Sequence, residues 1–253
     1  MKERHQQIIS LLEESRELDI ATLREQLSAS EATIRRDLLF LEENGMVIRT
    51  IGGARLKEVP SLVVRTFEER EQKNQKEKEL IAAAASKLVS PGMVVAIDSG
   101  TTAWRVAASL KQKGPLTVIT TALAVIEELG PVDDISLFCI GGQFRKENLD
   151  FIGGNVIQEL NKIHVDLAFL GADSLIIPGK GLFANDYFTS LISKAISLCC
   201  DKLTVVMDHT KINAQGAFLA VPTSDIDLVI IDSGLNDTSR NILESEPFEL
   251  MLV

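Results

Sequence analysis

Cysteine is scarce and oddly placed. Cys139, Cys199 and Cys200 are odd in number and two are adjacent, which excludes a disulfide framework and suits buried free thiols in a reducing compartment. Histidine is equally rare, at His5, His164 and His209, and no Cys/His cluster has zinc-ligand spacing, so neither a metal nor a cofactor is expected. No apolar run approaches the roughly 20 residues a membrane helix needs. The charged start, Met1-Lys2-Glu3-Arg4-His5, lacks the apolar core of a secretory signal. Cytoplasmic location with no membrane contact is the expectation. Net positive charge is also missing: the formal charge is −10.

That deficit is unevenly spread. Residues 1–57 carry nine Lys+Arg against ten Asp+Glu, and the remainder carries 17 against 26. The acidity therefore sits behind a near-neutral N-terminal zone that has room for a basic face. Three zones follow along the chain: 1–57, a polar linker over 58–75 with Pro60 near its start, and 76–253, where apolar runs alternate with helical patterns.

In the first zone, Ile8, Ile9, Leu11 and Leu12 give one helix an apolar face. Asp19 is placed to cap a second helix, Ile20 to Leu27. Ser28-Ala29-Ser30 is a short turn. Ser30 caps a third helix carrying Ile34, Leu38 and Leu41 on one stripe, which stops at Asn44-Gly45. This is the helix-turn-helix layout. Opposite the stripe lie Arg36 and its flanks Thr33 and Arg35, residue types that grip phosphates and guanine edges or touch a thymine methyl. Met46–Thr50 and Arg55–Lys57 predict a hairpin turning through Ile51-Gly52-Gly53-Ala54, and Arg49, Arg55 and Lys57 make it a basic wing. Ser30, Thr33, Arg35, Arg36, Arg49 and Arg55 are the candidate contacts to double-stranded operator DNA. A winged helix used for protein–protein contact is the other reading of this zone.

In the third zone a helix over 76–88 precedes strand candidates at Val94–Asp98, Leu116–Thr120, Ile135–Ile140, Asp166–Leu170, Leu203–Met207, Asp227–Ile231 and Glu249–Val253. Continuous apolar runs suit a parallel sheet covered on both faces, and intervening helices predict a doubly wound α/β domain. Ligands of such domains bind beyond the carboxyl ends of the strands. There the sequence places Asp98-Ser99-Gly100-Thr101-Thr102 directly before a helix, an arrangement suited to an anion through Gly100, the hydroxyls and the helix N-terminus. Neither nucleotide P-loop nor dinucleotide fingerprint is present. Thr120, Gly142, Arg145, Asp150, Asp173, Asp208 and Lys211 follow other strands. Arg145 and Lys211 are candidate phosphate cations, and Asp98, Asp173 and Asp208 candidate partners of sugar hydroxyls.

The run Leu27-Ser28-Ala29-Ser30-Glu31-Ala32-Thr33-Ile34-Arg35-Arg36-Asp37-Leu38, with Arg49-Thr50-Ile51-Gly52-Gly53-Ala54, resembles the DeoR family of bacterial repressors. So do Asp98–Thr102, Gly141-Gly142, Phe169–Asp173, Gly181-Leu182 and Asp208-His209-Thr210-Lys211. The resemblance implies an N-terminal winged helix-turn-helix and a C-terminal domain like ribose-5-phosphate isomerase and glucosamine-6-phosphate deaminase. It implies a sugar-phosphate effector that relieves repression of carbohydrate genes, no enzymatic activity, and a homo-oligomer, dimer or tetramer. The alternative is a sugar-phosphate isomerase or deaminase carrying a DNA-binding appendage. The chain departs from the family pattern at Phe183, Ser190 and Thr120-Thr121, all at the sugar end of the expected pocket.

Overall fold

The computed structural model describes residues 4, 5, 7, 8, 11, 12, 17–27, 29–43, 47–50, 52–56 and 66–253, with backbone alone for Glu17, Glu43, Ile48, Arg49, Arg55 and Leu56. The chain divides into two compact units, Met1–Val63 and Val64–Val253.

In the first unit, Arg4, His5, Gln7, Ile8, Leu11 and Leu12 are helical. Strand β1 (Glu17–Asp19) leads into helix α1 (Ile20–Gln26). Asp19 caps it, accepting the Thr22 N–H at 2.7 Å. Helix α2 (Glu31–Glu43) follows. Ser30 starts it, its Oγ accepting the Thr33 N–H at 3.3 Å and meeting Thr33 Oγ1 at 2.8 Å. Ile34, Leu38 and Leu41 form the expected stripe, buried with Ile8, Leu12, Ile20, Leu23, Val47 and Ala54. Strands β2 (Val47–Thr50) and β3 (Gly53–Leu56) form the wing hairpin.

The sequence did not announce β1, which pairs with β3 to give the order β1-β3-β2. It explains the paired glycines. Gly52 turns the hairpin at φ +98°. A Cβ on Gly53 would lie 2.2 Å from the Leu18 carbonyl oxygen of β1, so one glycine supplies a backbone angle and the other a close approach. The expected helix stop at Asn44-Gly45, the middle of the turn at Ser28 and the wing cation Lys57 lie outside the described residues.

The second unit is built on a parallel sheet of order β15-β14-β12-β9-β4-β5-β6. Its strands are β4 (Val94–Ile97), β5 (Leu116–Thr120), β6 (Ile135–Cys139), β9 (Val165–Leu170), β12 (Cys200–Met207), β14 (Leu228–Ile231) and β15 (Glu249–Leu252). All seven coincide with the expected runs. Alternate residues serve opposite faces. Val95, Ile97, Leu167, Phe169 and Val206 pack under α4 (Gln75–Ser86), α5 (Thr101–Ser109) and α6 (Leu123–Leu129), whereas Ala96, Ala168, Leu170, Val205 and Met207 join α7 (Gly154–Leu160), α8 (Tyr187–Leu198) and α9 (Asp237–Glu244). The chain winds outward from β4 through β5 and β6, then returns to the other side of β4 for β9, β12, β14 and β15. The switch point therefore lies between β4 and β9.

Short strands complete this unit: the hairpin of β7 (Gln143–Arg145) and β8 (Asp150–Ile152), and an antiparallel sheet β10-β11-β13 made of Ser174–Ile176, Gly181–Ala184 and Phe218–Val221. Part of the expected linker is folded too. Helix α3 (Phe67–Glu71) starts with a capping box, Thr66 and Glu69 each accepting from the other's backbone N–H. Its buried Phe67 stands edge-on to Trp104, centroids 5.9 Å apart. A charged surface around one apolar anchor disguised this helix as linker. No helix among the described residues is long and apolar enough to cross a membrane.

Candidate functional site

In the first unit, α2 exposes Arg35 and Arg36 while burying Ile34 and Leu38. Arg35 is held along the helix by Glu31, which accepts from its Nε at 2.9 Å and Nη2 at 2.8 Å. Asp37, between the exposed arginines and the stripe, is buried and accepts from Arg4 Nε at 2.5 Å, with His5 Nε2 at 3.0 Å from its other oxygen. Burial alone would raise the Asp37 carboxyl, but the Arg4 and His5 hydrogen bonds hold it below its usual range. This contact fixes the first helix against α2, and His5 also stacks on Phe40 at 4.6 Å. In the wing, Arg49 lies opposite Ala54, and Arg55 opposite Ile48. The side chains of both arginines lie outside the described residues.

In the second unit, β4, β9 and β12 are neighbours, so the segments Asp98-Ser99-Gly100, Gly171-Ala172-Asp173 and Asp208-His209-Thr210-Lys211 meet beyond one edge of the sheet. At the switch point Gly100 stands just before α5 with φ +117° and offers no side-chain cap. L-residues avoid that angle, and the first hydrogen bond of the helix runs from the Trp104 N–H to the Gly100 carbonyl. The N–H groups of Thr101, Thr102 and Ala103 are thus the uncapped positive end of a nine-residue helix.

Carboxylates crowd this corner. Asp98 is buried, and desolvation pushes its pKa up to about 7, against the opposing hydrogen bonds from the backbone N–H groups of Ser99 and Gly171; Asp150 and Asp173 push it further up. Ser99 Oγ donates to Asp150 Oδ2 at 2.9 Å. Asp173 accepts the Asn185 N–H at 2.9 Å. Asp208 accepts from Asn74 Nδ2 at 2.9 Å, from the Thr210 N–H at 3.1 Å and from the Thr210 hydroxyl.

Three expected ligand groups have structural partners. The Arg145 guanidinium grips Asp150 twice, Nε at 2.9 Å and Nη2 at 2.6 Å, and reaches Asp186 at 2.7 Å and Thr189 Oγ1 at 3.0 Å. Four of its five N–H donors are spent on tying the β7–β8 hairpin to α8. Thr120 Oγ1 donates to the Ile97 carbonyl at 2.7 Å and accepts the Ala122 N–H at 3.0 Å. A Cβ on Gly142 would lie 2.5 Å from the Ile152 carbonyl oxygen, a packing reason for glycine. Residue type and position were legible; saturation of the donors was not.

The strap from Thr66 to Lys78 supplies groups that spacing did not reveal. Half-buried Arg70 donates to Asn148 Oδ1 at 2.8 Å, and its buried Nε has no hydrogen-bond partner among the described residues. Desolvation lowers its pKa, opposed by the charges of Asp173, Asp150 and Asp98. Lys78 is buried and donates to the Arg70 carbonyl. Burial brings its pKa down to about 8; Asp208 opposes that shift and Lys211 adds to it. Two lysines and an arginine thus share the field of the strand-end carboxylates. The findable signal was the Thr66–Glu69 capping spacing with a lone phenylalanine between charges.

His209 Nδ1 lies 2.7 Å from Asp232 Oδ2, while exposed His164 meets Asp201 at 3.1 Å.

Comparison with known proteins follows these two units. Residues 4–59 match the DeoR-like helix-turn-helix domain, and residues 73–233 match the DeoR C-terminal sensor domain. The chain belongs to the DeoR family. It is thus a DNA-binding transcriptional regulator with a helix-turn-helix domain in front of a sensor domain. It is similar to the HTH-type transcriptional regulator GolR of Listeria innocua serovar 6a, 32% identical over 92% of this chain and 91% of that one. It is also similar to the HTH-type transcriptional repressor GlcR of Bacillus subtilis, 27% identical over 99% and 96%. Among solved structures, ribose 5-phosphate isomerase A from Methanocaldococcus jannaschii aligns over 55% of each chain, with a TM-score of 0.41 and 22% identity.

Proposed function

We propose that this DeoR-family regulator is a repressor that leaves its operator when a phosphorylated sugar occupies the corner at residues 98–102. The observation that carries the reading is the uncapped start of α5 behind Gly100, at the switch point of the sheet. An anion is the natural occupant of a helix N-terminus at such a place. Thr101 and Thr102 add hydroxyls, and Lys78, Lys211 and Arg70 supply the positive field. Asp98, Asp150, Asp173 and Asp208 suit the hydroxyls of the sugar. Arg145 and Thr120 hold this wall in shape, and Gly142 lets the hairpin pack.

On the DNA side, Arg36, Arg35, Thr33 and Ser30 enter the major groove, and the wing brings Arg49 and Arg55 to the backbone. Residues 1–57 form the reading head, and the tether ends at Thr66, where the sensor begins. A homo-oligomer presents two heads to two half-sites. An effector shifts DNA affinity only if it binds the two states unequally. The strap supplies that difference: Phe67 rests on Trp104, Glu71 pairs with Arg105 and Asn74 holds Asp208. A phosphate drawn to α5 and to Lys78 competes with these contacts at the point where the tether enters.

The test is a titration of the purified chain with sugar phosphates and their unphosphorylated analogues, read by melting temperature and operator gel shift. Binding at 100 times Kd adds about 2.7 kcal/mol to stability. The expected result is stabilisation and operator release by a sugar phosphate alone. Equal responses to the unphosphorylated sugar would overturn the phosphate assignment.

A further inference from the structure

The surface around β13 carries an aromatic patch with no role in either site. Tyr187 and Phe188 open α8, and Phe218 and Leu219 open β13; their exposures are 57%, 42%, 40% and 51%. The Tyr187 ring lies 5.6 Å from that of Phe218 and 6.4 Å from that of Phe188. In the order β10-β11-β13, β13 is the outer strand, and among the described residues no strand pairs with its open side. Successive side chains alternate across a strand, so Phe218 and Leu219 flank the open edge from its two faces.

Exposed edges are normally guarded by charge, proline or a bulge that twists them away. Here residues 187–193 and 212–224 contain no charged side chain, although the chain beyond residue 57 holds nine more acidic than basic residues. We infer that this patch is the seat of a second copy of the chain, docked about a two-fold axis with the β13 strands edge to edge. Two acidic domains repel each other except where charge is missing, and an edge strand is self-complementary in its backbone groups. Area favours the same occupant. With side chains of about 150–250 Å2 each, the four leave on the order of 400 Å2 of apolar surface in water. A stable interface buries about 800 Å2 per partner, roughly 57–65% of it non-polar, and the patch supplies most of that share. Asp186, which caps α8 and binds Arg145, immediately precedes Tyr187. The interface therefore borders the wall of the proposed effector corner.

Sedimentation velocity on the full chain at micromolar concentration tests this. The wild type is expected as a dimer or a multiple of one, and the Tyr187→Lys/Phe218→Lys double variant at half its mass. Leu198→Lys, on a still more exposed leucine at the far end of α8, is expected to keep the wild-type mass. Tyr187→Ser removes apolar area without adding charge and is expected to raise the dissociation constant at least tenfold, which keeps the test alive if the double variant misfolds. A monomeric wild type, or a folded double variant of unchanged mass, overturns the inference. In the latter case the patch is covered by the chain's own DNA-reading unit or by another protein.

Discussion

Asp98 sits where an anion is expected to arrive, yet it is an acid. The conflict dissolves if the group is neutral when the anion binds, and burial does this by carrying its pKa to about 7. The sign follows directly. The folded chain holds this proton more tightly than the unfolded chain, so stability is lost as pH rises from about 4 towards 7 and is level above that. Asp98→Asn removes the dependence. Its unfolding free energy, measured by denaturant titration, is expected to gain on the wild type between pH 5 and pH 8, by on the order of a few kcal/mol. Ligand binding carries the same signature. Above pH 7 a sugar phosphate is already a dianion (its second pKa is about 6), so a further fall in affinity reports Asp98 ionising beside it. Titrations followed by Trp104 fluorescence at pH 7 and 8 are expected to weaken for the wild type and stay level for Asp98→Asn. A wild-type affinity that does not change with pH would refute the role. Residue types at the strand ends were legible because a parallel sheet concentrates polar groups there. The saturation of Arg145 and Thr120 was not, since spacing shows which group a side chain carries and nothing about its partners.

At the level of elements, legibility followed length and burial. Most strands of the central sheet are apolar on both faces and stand out as continuous runs; the edge strands β6 and β15 are half-exposed and stand out by their β-branched and large apolar residues instead. Helix α2 was visible through its cap and stripe. Strands β1, β7, β8, β10, β11 and β13 have only three or four residues each, too few for a period of two to register, and β1 depends on a partner near residue 54. Helix α3 has five residues and would not persist in isolation; tertiary contacts hold it. Phe67 is the chief of these, which makes the strap testable. Phe67→Ala removes a buried ring beside the lone tryptophan and is expected to cost about 3 kcal/mol or more. Trp104 emission is expected to shift to the red as water reaches the indole, and the midpoint for operator release to move to higher effector concentration. An unshifted spectrum with a wild-type release curve would exclude α3 from the proposed response to effector.

For the whole molecule, the uneven charge disfavours nucleic acid at one of the two units. The acidic sensor repels the phosphate backbone and confines DNA contact to the near-neutral head with its exposed Arg35 and Arg36. Salt therefore weakens operator binding steeply, by about 0.9 in log K per log unit of salt for each phosphate neutralised. The coupling between the units obeys a stricter rule. If an effector lowers operator affinity by some factor, the operator lowers effector affinity by that same factor, because both measure one free energy. Coupling of 1–3 kcal/mol corresponds to about 5–150-fold. Effector dissociation constants measured with and without saturating operator should thus differ by the ratio found in gel shifts with and without effector. Arg36→Ala supplies the control. Losing a base or phosphate contact worth about 1–3 kcal/mol, it should bind effector as the DNA-free wild type does, even at operator concentrations that inhibit the wild type. If added operator weakens effector binding to Arg36→Ala as much as to the wild type, α2 is not the element through which DNA and effector are linked. If the two wild-type ratios disagree, effector and operator are not acting on one shared equilibrium, and the strap has no difference in states to transmit.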